Sequence, residues 1–353
     1  MKRECGEMKK MKILFVADFS ITAQDILDNK SMFDEYDVDI DVVEVSLGKD
    51  KEERAAYILK TEQEGTEWTK APSELLEKAE DADVLITDFA VIGQDVIQVA
   101  KKLKLIGVLR SGVENVNLEA AREKGIQVIC SPGRVAAPVA DYTVALMIAE
   151  NRNIVRSNLV SNHGDWKIRF KNFPYSHNIA GKTVGIIGFG MIGQMVAARL
   201  KPFGAKIIAF EEYMSPERVK ELGAEPVSMD ELLKESDYVT IHMRLSKETE
   251  GMIGKEEFKK MKKTAVFVNT ARAGLVDEQA LIEALQNDEI GGAALDVFAH
   301  EPIEKDNPLL SMENVTLTPH LAGTTSNVGR NSLAVIMNDL DRFFKGELMK
   351  NVR

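Results

Sequence analysis

The sequence predicts an α/β protein made of two doubly wound parallel-sheet domains, and three observations carry that prediction. At 353 residues the chain exceeds what one hydrophobic core usually supports. Short, mostly continuous apolar strand patterns alternate with helix patterns, as in parallel sheets covered on both faces. Those patterns fall into two runs, separated by a turn and a long apolar helix.

The first run has strands near Lys12–Asp18, Asp39–Val45, Val84–Thr87, Leu105–Leu109 and Gln127–Cys130. Between the last two, Asn117 caps a helix over Leu118–Lys124 and Gly125 ends it. The acidic, polar stretch Lys49–Lys70 reads as solvated helix and loop. Ser131-Pro132-Gly133 is a turn, and a helix then starts near Pro138, a residue suited to a first helical position. Its Val144–Ile148 segment is apolar nearly all round, so the helix must be buried in a core or against a second subunit. The second run has strands at Val184–Ile187, Ile207–Phe210, Tyr238–His242, Ala265–Asn269, Gly292–Val297 and Val315–Thr318.

Composition narrows the function classes. A chain that is 44% hydrophobic and 29% charged is ordinary for a soluble globular protein. Its net charge of −11 opposes nucleic-acid and anionic-membrane partners. Any anionic small molecule must therefore meet a local positive pocket. Cys5 and Cys130 lack metal-ligand spacing and make no disulfide framework, so reduced thiols and no metal are expected. The N-terminal MKRECGEMKKMK is charged and lacks an apolar core, and no apolar run reaches membrane-spanning length. A cytoplasmic protein is expected. Trp166–Lys171 mixes basic and aromatic residues, and in an acidic chain it reads as an interdomain or dimer-arm loop rather than an RNA contact.

The stretch Thr183–Tyr213 predicts a dinucleotide cofactor. An apolar strand runs into Gly188-Phe189-Gly190-Met191-Ile192-Gly193, and a helix opens directly behind it. Gly188 allows the tight turn, Gly190 lets backbone approach a pyrophosphate, and Gly193 lets helix and strand pack closely. The helix start offers free N–H groups and a partial positive charge to the phosphates. A second strand ends at Glu211, near the spacing expected for a carboxylate on a ribose 2′-hydroxyl. Glu211 and Glu212 would also repel a 2′-phosphate, at ~4 Å by about 1–4 kcal/mol, so NAD is favoured over NADP.

Three further segments sit at strand ends in the second run: Asn269–Gly274, Leu295–Pro302 and Thr318–Gly323. Ligands of open parallel sheets bind at such ends. The segments supply an Arg, a Glu and a His, the groups needed for hydride transfer on a 2-hydroxy or 2-oxo acid. An Arg fork holds a carboxylate or keto oxygen bidentately. A His shuttles the hydroxyl proton, and a neighbouring carboxylate would fix its tautomer and raise its pKa.

These motifs resemble the D-isomer-specific 2-hydroxyacid dehydrogenase family across nearly the whole chain. The glycine loop, NTARAGLVDEQAL at Asn269–Leu281, GGAALDVF at Gly291–Phe298 and TPHLAG at Thr318–Gly323 carry the likeness. RSGVENVNLEAA at Arg110–Ala121 and PGRVAAPVADYT at Pro132–Thr143 add to it, and similarity is greatest to the phosphoglycerate-dehydrogenase-like branch. The resemblance implies Arg272 as carboxylate and carbonyl clamp, His320 as general acid/base and Glu301 as its partner. It implies that the Ser111-Gly112 backbone meets the substrate carboxylate, with Arg110 beside it among the substrate-binding residues. It assigns the nicotinamide carboxamide to Asp296, and the rest of the NAD surface to Met243, Arg244, Thr270, Ala271 and Gly323, beside Met191 and Ile192.

The family further implies a Rossmann NAD-binding domain, 133–321, inserted in a flavodoxin-like substrate-binding domain, 1–132 with 322–353, and homodimers through the NAD domain. His300 competes in sequence with His320 for Glu301; the family motif favours His320. His163, His177 and His242 are read as structural. The expected substrate is a D-2-hydroxy or 2-oxo acid, with 3-phosphoglycerate as one candidate. Two departures weigh against a phosphorylated one: Thr87-Asp88-Phe89 stands where phosphoglycerate enzymes can present an arginine, and the RSGVENVN loop is shorter than theirs. Arg110 and Arg134 remain as charge for a phosphate. The alternatives are a dinucleotide-sensing corepressor-like binding protein, and a formate- or phosphite-type dehydrogenase on the same fold.

Overall fold

The computed structural model describes residues 10–353. These form two compact units, one reaching to Arg134 and resuming at Ser326, the other Val135–Thr325. The sequence reading placed those boundaries at 132/133 and 321/322. The N-terminal segment carrying Cys5 lies outside the described residues.

In the first unit five strands lie parallel in the order β2-β1-β3-β4-β5, the flavodoxin-like order. They are β1 (Met11–Ala17), β2 (Val38–Glu44), β3 (Val84–Thr87), β4 (Leu105–Val108) and β5 (Gln127–Cys130). Apolar side chains leave both faces of the central strands: Leu14 and Leu85 belong to one core, Ile13 and Val84 to the other. The C-terminal helix Val328–Phe344 closes the second face with Leu333, Ile336 and Leu340. It comes so close that a Cβ on Gly107 of β4 would lie 2.7 Å from Ile336 Cδ1. Asn117 caps the helix Leu118–Glu123 by accepting from Ala120 N, and Gly125 follows at φ +70°.

The second unit holds seven parallel strands in the order β12-β11-β10-β9-β6-β7-β8. They are β6 (Thr183–Ile187), β7 (Lys206–Phe210), β8 (Glu225–Pro226), β9 (Tyr238–Ile241), β10 (Val266–Asn269), β11 (Gly292–Leu295) and β12 (Val315–Leu317). This is the dinucleotide-binding arrangement with one strand added at the β12 edge. The sequence reading missed β8, which has two residues and no apolar run. It also carried β9, β11 and β12 one or two residues too far, over His242, Asp296-Val297 and Thr318, which lie past the ladder in the strand-end loops.

The helix expected from Pro138 begins at Ala136, so Pro138 is its third residue. A first-turn N–H has no intrahelical partner, and proline there sacrifices nothing. The helix is buried on Val139, Ala140, Thr143, Val144 and Met147. At its end Glu150 is 1% exposed. Burial drives its pKa up, while Arg156 and the Thr316 hydroxyl pull against that rise. Arg156 Nη2 donates to both carboxylate oxygens at 2.6 and 2.5 Å, and Thr316 Oγ1 donates at 2.6 Å. This knot ties the helix Ile154–Asn162 to β12. Removing one partner strands a buried charge, so Arg156→Ala should lower unfolding free energy by about 3–5 kcal/mol in urea titration. Thr316→Val should cost nearer 1 kcal/mol. Equal midpoints for wild type and Arg156→Ala would show that the knot does not hold the unit.

Candidate functional site

The carboxyl ends of the parallel strands of the second unit face one edge, and the functional side chains follow from what each strand end carries. After β6 comes the glycine loop. Gly188 sits at φ +87°, where a Cβ would lie 3.0 Å from the His242 carbonyl. A Cβ on Gly193 would lie 2.5 Å from the Gly188 oxygen, so helix Met191–Leu200 can start only over a glycine. Gly190, its N-cap, has nothing within 4 Å of such a Cβ. Gly188 and Gly193 are demanded by the fold; Gly190 is demanded only by whatever occupies the open space before the helix N-terminus. Met191 is half exposed there, and Ile192 lines the cleft.

Glu211, past β7, accepts from Phe189 N at 2.8 Å through Oε2 and from Tyr213 N at 2.8 Å through Oε1. Each oxygen keeps a lone-pair direction for a ribose diol. Arg218, the next cation along the chain, is tied to Glu221 at 2.8 Å. Glycine loop, open helix start and carboxylate together fit a dinucleotide with an unphosphorylated ribose.

A cleft of about 450 Å³ continues from this loop, lined by Val135, Val139, Ile192, His242, Met243, Arg244, Leu245, Thr270, Ala271 and Arg272. His242, expected only to be structural, has Nε2 3.0 Å from Thr240 Oγ1 and a buried Nδ1 with no partner. Desolvation pushes its pKa down to about 3, so the ring is neutral at working pH. The Arg244 guanidinium makes no ion pair among the described residues.

After β10, buried Asn269 clamps its own loop. Its Oδ1 accepts from Ala271 N at 2.9 Å and its Nδ2 donates to Arg272 O at 3.0 Å. This residue was legible only as part of a motif, not by its role. Thr270 is 6% exposed, with its hydroxyl 2.8 Å from that of Thr143. Arg272 is left exposed, with Nη1 on the Ala271 carbonyl at 2.7 Å.

The third element comes from β11 and β12. Asp296 is fully buried. Its Oδ1 accepts from Thr318 Oγ1 at 2.6 Å and Leu321 N at 2.9 Å, and its Oδ2 accepts from Ala322 N at 2.8 Å. These bonds hold the turn that bears His320 and leave one lone-pair direction for the expected carboxamide contact. His320 stands at φ +55°. Its Nδ1 lies 2.7 Å from Glu301 Oε2. Desolvation would raise the Glu301 pKa, but the His320 hydrogen bond, the Phe298 N–H and the Arg272 charge outweigh it and hold it below the usual carboxylate range. His300 is exposed and makes no hydrogen bond among the described residues, so Glu301 has one imidazole partner. Gly323 has only ordinary space beside Val135, 3.6 Å from a built Cβ, and the fold does not require glycine there.

Within the first unit, Arg110 and Ser111-Gly112 follow β4. Ser111 Oγ donates to Ser131 O at 3.4 Å. The Glu114 carboxylate lies over Gly112, where a Cβ would be 2.2 Å from Oε2, so this flexible acid must swing away before an anion uses that backbone. Arg134 is anchored by Asp88 at 2.9 Å and by the Leu109 carbonyl at 3.1 Å.

A dinucleotide-binding unit bearing a His–Glu pair and an arginine on its ligand edge defines a class of NAD-linked oxidoreductase. Residues 144–322 match the model of the D-isomer specific 2-hydroxyacid dehydrogenase NAD binding domain. The chain is 43% identical to D-3-phosphoglycerate dehydrogenase of Methanocaldococcus jannaschii, over 79% of this chain and 53% of that one. It therefore spans about half the length of that relative. It is 39% identical to glyoxylate reductase of Thermococcus litoralis, over 80% of this chain and 87% of the other. The NAD-complexed D-isomer specific 2-hydroxyacid dehydrogenase of Lactobacillus delbrueckii ssp. bulgaricus is similar in structure, with a TM-score of 0.76 and 26% identity over 97% of this chain and 100% of that one. The chain belongs to the D-isomer specific 2-hydroxyacid dehydrogenase family, and its cofactor is NAD.

Two glycine substitutions separate fold from cofactor. Gly193→Ala should lower the melting temperature. Gly190→Ala should melt like wild type yet bind NADH at least roughly tenfold more weakly by fluorescence titration, the worth of one good contact. Unchanged affinity in Gly190→Ala would remove the pyrophosphate from that space.

Proposed function

We propose that this protein transfers a hydride between NAD(H) and C2 of a D-2-hydroxy or 2-oxo acid. The observation that carries the reading is the 2.7 Å pair of His320 and Glu301, with the Arg272 guanidinium near enough to depress the Glu301 carboxyl. NADH, when bound, supplies the hydride to the carbonyl carbon. Arg272 clamps the substrate carboxylate and polarises the carbonyl, helped by the Ser111-Gly112 backbone, with Arg110 adjoining in the substrate-binding set. Protonated His320 gives its Nε2 proton to the developing alkoxide, while Glu301 accepts from Nδ1–H and stabilises the imidazolium. Oxidation of the hydroxy acid runs the same proton path in reverse. Glu211 and the glycine loop hold the cofactor's adenosine half, and the cleft from Met243, Arg244, Thr270, Ala271 and Gly323 holds the remainder, with the last lone pair of Asp296. The substrate-binding role of residues 1–132 with 322–353 belongs to this reading, and 3-phosphoglycerate remains one candidate substrate.

The test is a panel of glyoxylate, pyruvate and phosphohydroxypyruvate, with NADH loss followed by absorbance. Arg272→Ala should lower turnover by roughly 100- to 1000-fold, the usual cost of losing a donor to a developing oxyanion. Glu301→Gln should move the alkaline limb of the reduction profile toward lower pH, because reduction needs the protonated imidazole and the carboxylate favours that form. A profile of unchanged shape would remove Glu301 from the proton path.

A homodimer through the NAD unit is part of the same proposal. Ile154, Leu159, Trp166, Ile168 and Phe173 are each more than half exposed along one segment of that unit, Trp166 at 89%. An apolar strip of this kind normally finds a protein partner. Light scattering should give twice the chain mass, and Trp166→Glu with Ile168→Glu should give a monomer; a wild-type monomer would refute it. Net charge and the buried free thiol of Cys130 support a cytoplasmic protein without a nucleic-acid partner. No helix among the described residues is long and apolar enough to cross a membrane.

A further inference from the structure

The first unit carries an aromatic and arginine cluster that the hydride-transfer chemistry does not use. The dipeptide Asp-Phe occurs just past β1 (Asp18-Phe19) and again just past β3 (Asp88-Phe89). In the order β2-β1-β3-β4-β5 the direction of winding reverses between these two strands, and open parallel sheets bind ligands at that point. Asp18 joins the two turns: its Oδ1 accepts from Ser20 N at 2.8 Å, and its Oδ2 from Phe89 N at 2.8 Å and Ala90 N at 3.2 Å. The joined turns stack Phe19 on Phe89, with centroids 5.3 Å apart and planes 25° apart.

A guanidinium lies over each ring. Arg54 is 5.3 Å from the Phe19 centroid and Arg110 is 4.5 Å from that of Phe89. Both the free arginine and the acid that restrains the other come from one helix, Lys51–Glu64, which lies between β2 and β3 in sequence. Glu62 of that helix holds Arg110 Nη2 at 3.0 Å, and its side chain is 43% exposed. Arg54 donates Nε to the Gly48 carbonyl at 3.2 Å and has no carboxylate partner among the described residues. Two rings form an apolar floor, one guanidinium is free, and the other is held by an acid that can rotate into solvent.

We propose that Arg54, Phe19, Phe89 and Arg110 form a subsite for an oxyanion on the far end of the substrate, with Glu62 as the internal anion it replaces. The inference rests on the 2-oxo acid reading above, since Arg110 precedes the Ser111-Gly112 backbone assigned to the substrate carboxylate. It selects, within that class, short 2-oxo acids ending in a second carboxylate or a phosphate. The apolar floor excludes water and strengthens the charge pairing, and the guanidinium fork suits either anion.

The test compares kcat/KM for 2-oxoglutarate and phosphohydroxypyruvate with that for glyoxylate, which has no tail. Wild type should favour one tailed anion, and which one identifies carboxylate or phosphate. In Arg54→Ala the tailed-to-glyoxylate ratio should fall about ten- to one-hundredfold, through KM, the worth of one charge-assisted hydrogen bond. Glu62→Gln should raise the same ratio. Ratios unmoved in both variants, with glyoxylate still reduced, overturn the subsite and leave the dehydrogenase reading standing. Should no 2-oxo acid be reduced, that broader reading fails, and calorimetric titration of both tailed acids into wild type and Arg54→Ala then decides the subsite: equal affinity, or no binding to either protein, overturns it.

Discussion

The ligand edge of the NAD unit depends on one buried carboxylate. Asp296 gathers the Thr318 hydroxyl and the N–H groups of Leu321 and Ala322, and between them leaves His320 at positive φ. A left-handed residue with a side chain costs roughly 1–2 kcal/mol. Each hydrogen bond to a charged group contributes about 1.5–3 kcal/mol, so three of them outweigh that strain. The imidazole is thereby aimed before any ligand arrives, and Glu301 then fixes which nitrogen bears the proton. Without the buried acid the turn could relax to ordinary backbone and carry the ring away from its partner.

The same device recurs along both sheets. Glu211 past β7 holds Phe189 N past β6, and Asp18 past β1 holds Phe89 and Ala90 past β3. Parallel strands leave their carboxyl-end loops with backbone N–H groups that the ladder does not use. An acid on a neighbouring strand end satisfies them and fixes one loop against the next. Asn269 does this within its own loop, offering an acceptor to Ala271 and a donor to Arg272.

This explains which parts were legible in the sequence. Strand type, strand order and the glycine loop follow from local patterns, and eleven of the twelve strands coincide with apolar runs. The cap at Asn117 was equally local. The loop-fixing bonds are not: Asp18 and Phe89 are 71 residues apart, and Asp296 and Leu321 are 25 apart. No periodicity announces such a pairing. Asp296 is therefore conspicuous in a motif, while its principal hydrogen-bond partners emerge only once β11 and β12 lie side by side. The repeated Asp-Phe after β1 and β3 was a visible signal, but its meaning requires knowing that those strands are neighbours. The end of β11 was overrun into Asp296-Val297, where the chain stays buried past the ladder.

Charge poses the remaining question, since a chain of net −11 is proposed to bind acids. Most acids near the ligand edges are already engaged, Glu114 over Gly112 being an exception. Asp88 is held by Arg134, Asp18, Glu211 and Asp296 by backbone N–H groups, and Glu301 by His320. An anion paired at contact distance contributes little field a few ångströms away, where screening is also strong. The guanidiniums of Arg272, Arg244 and Arg54 have no such partner among the described residues. In the proposed reading these guanidiniums, rather than the total charge, set the binding of a small anion.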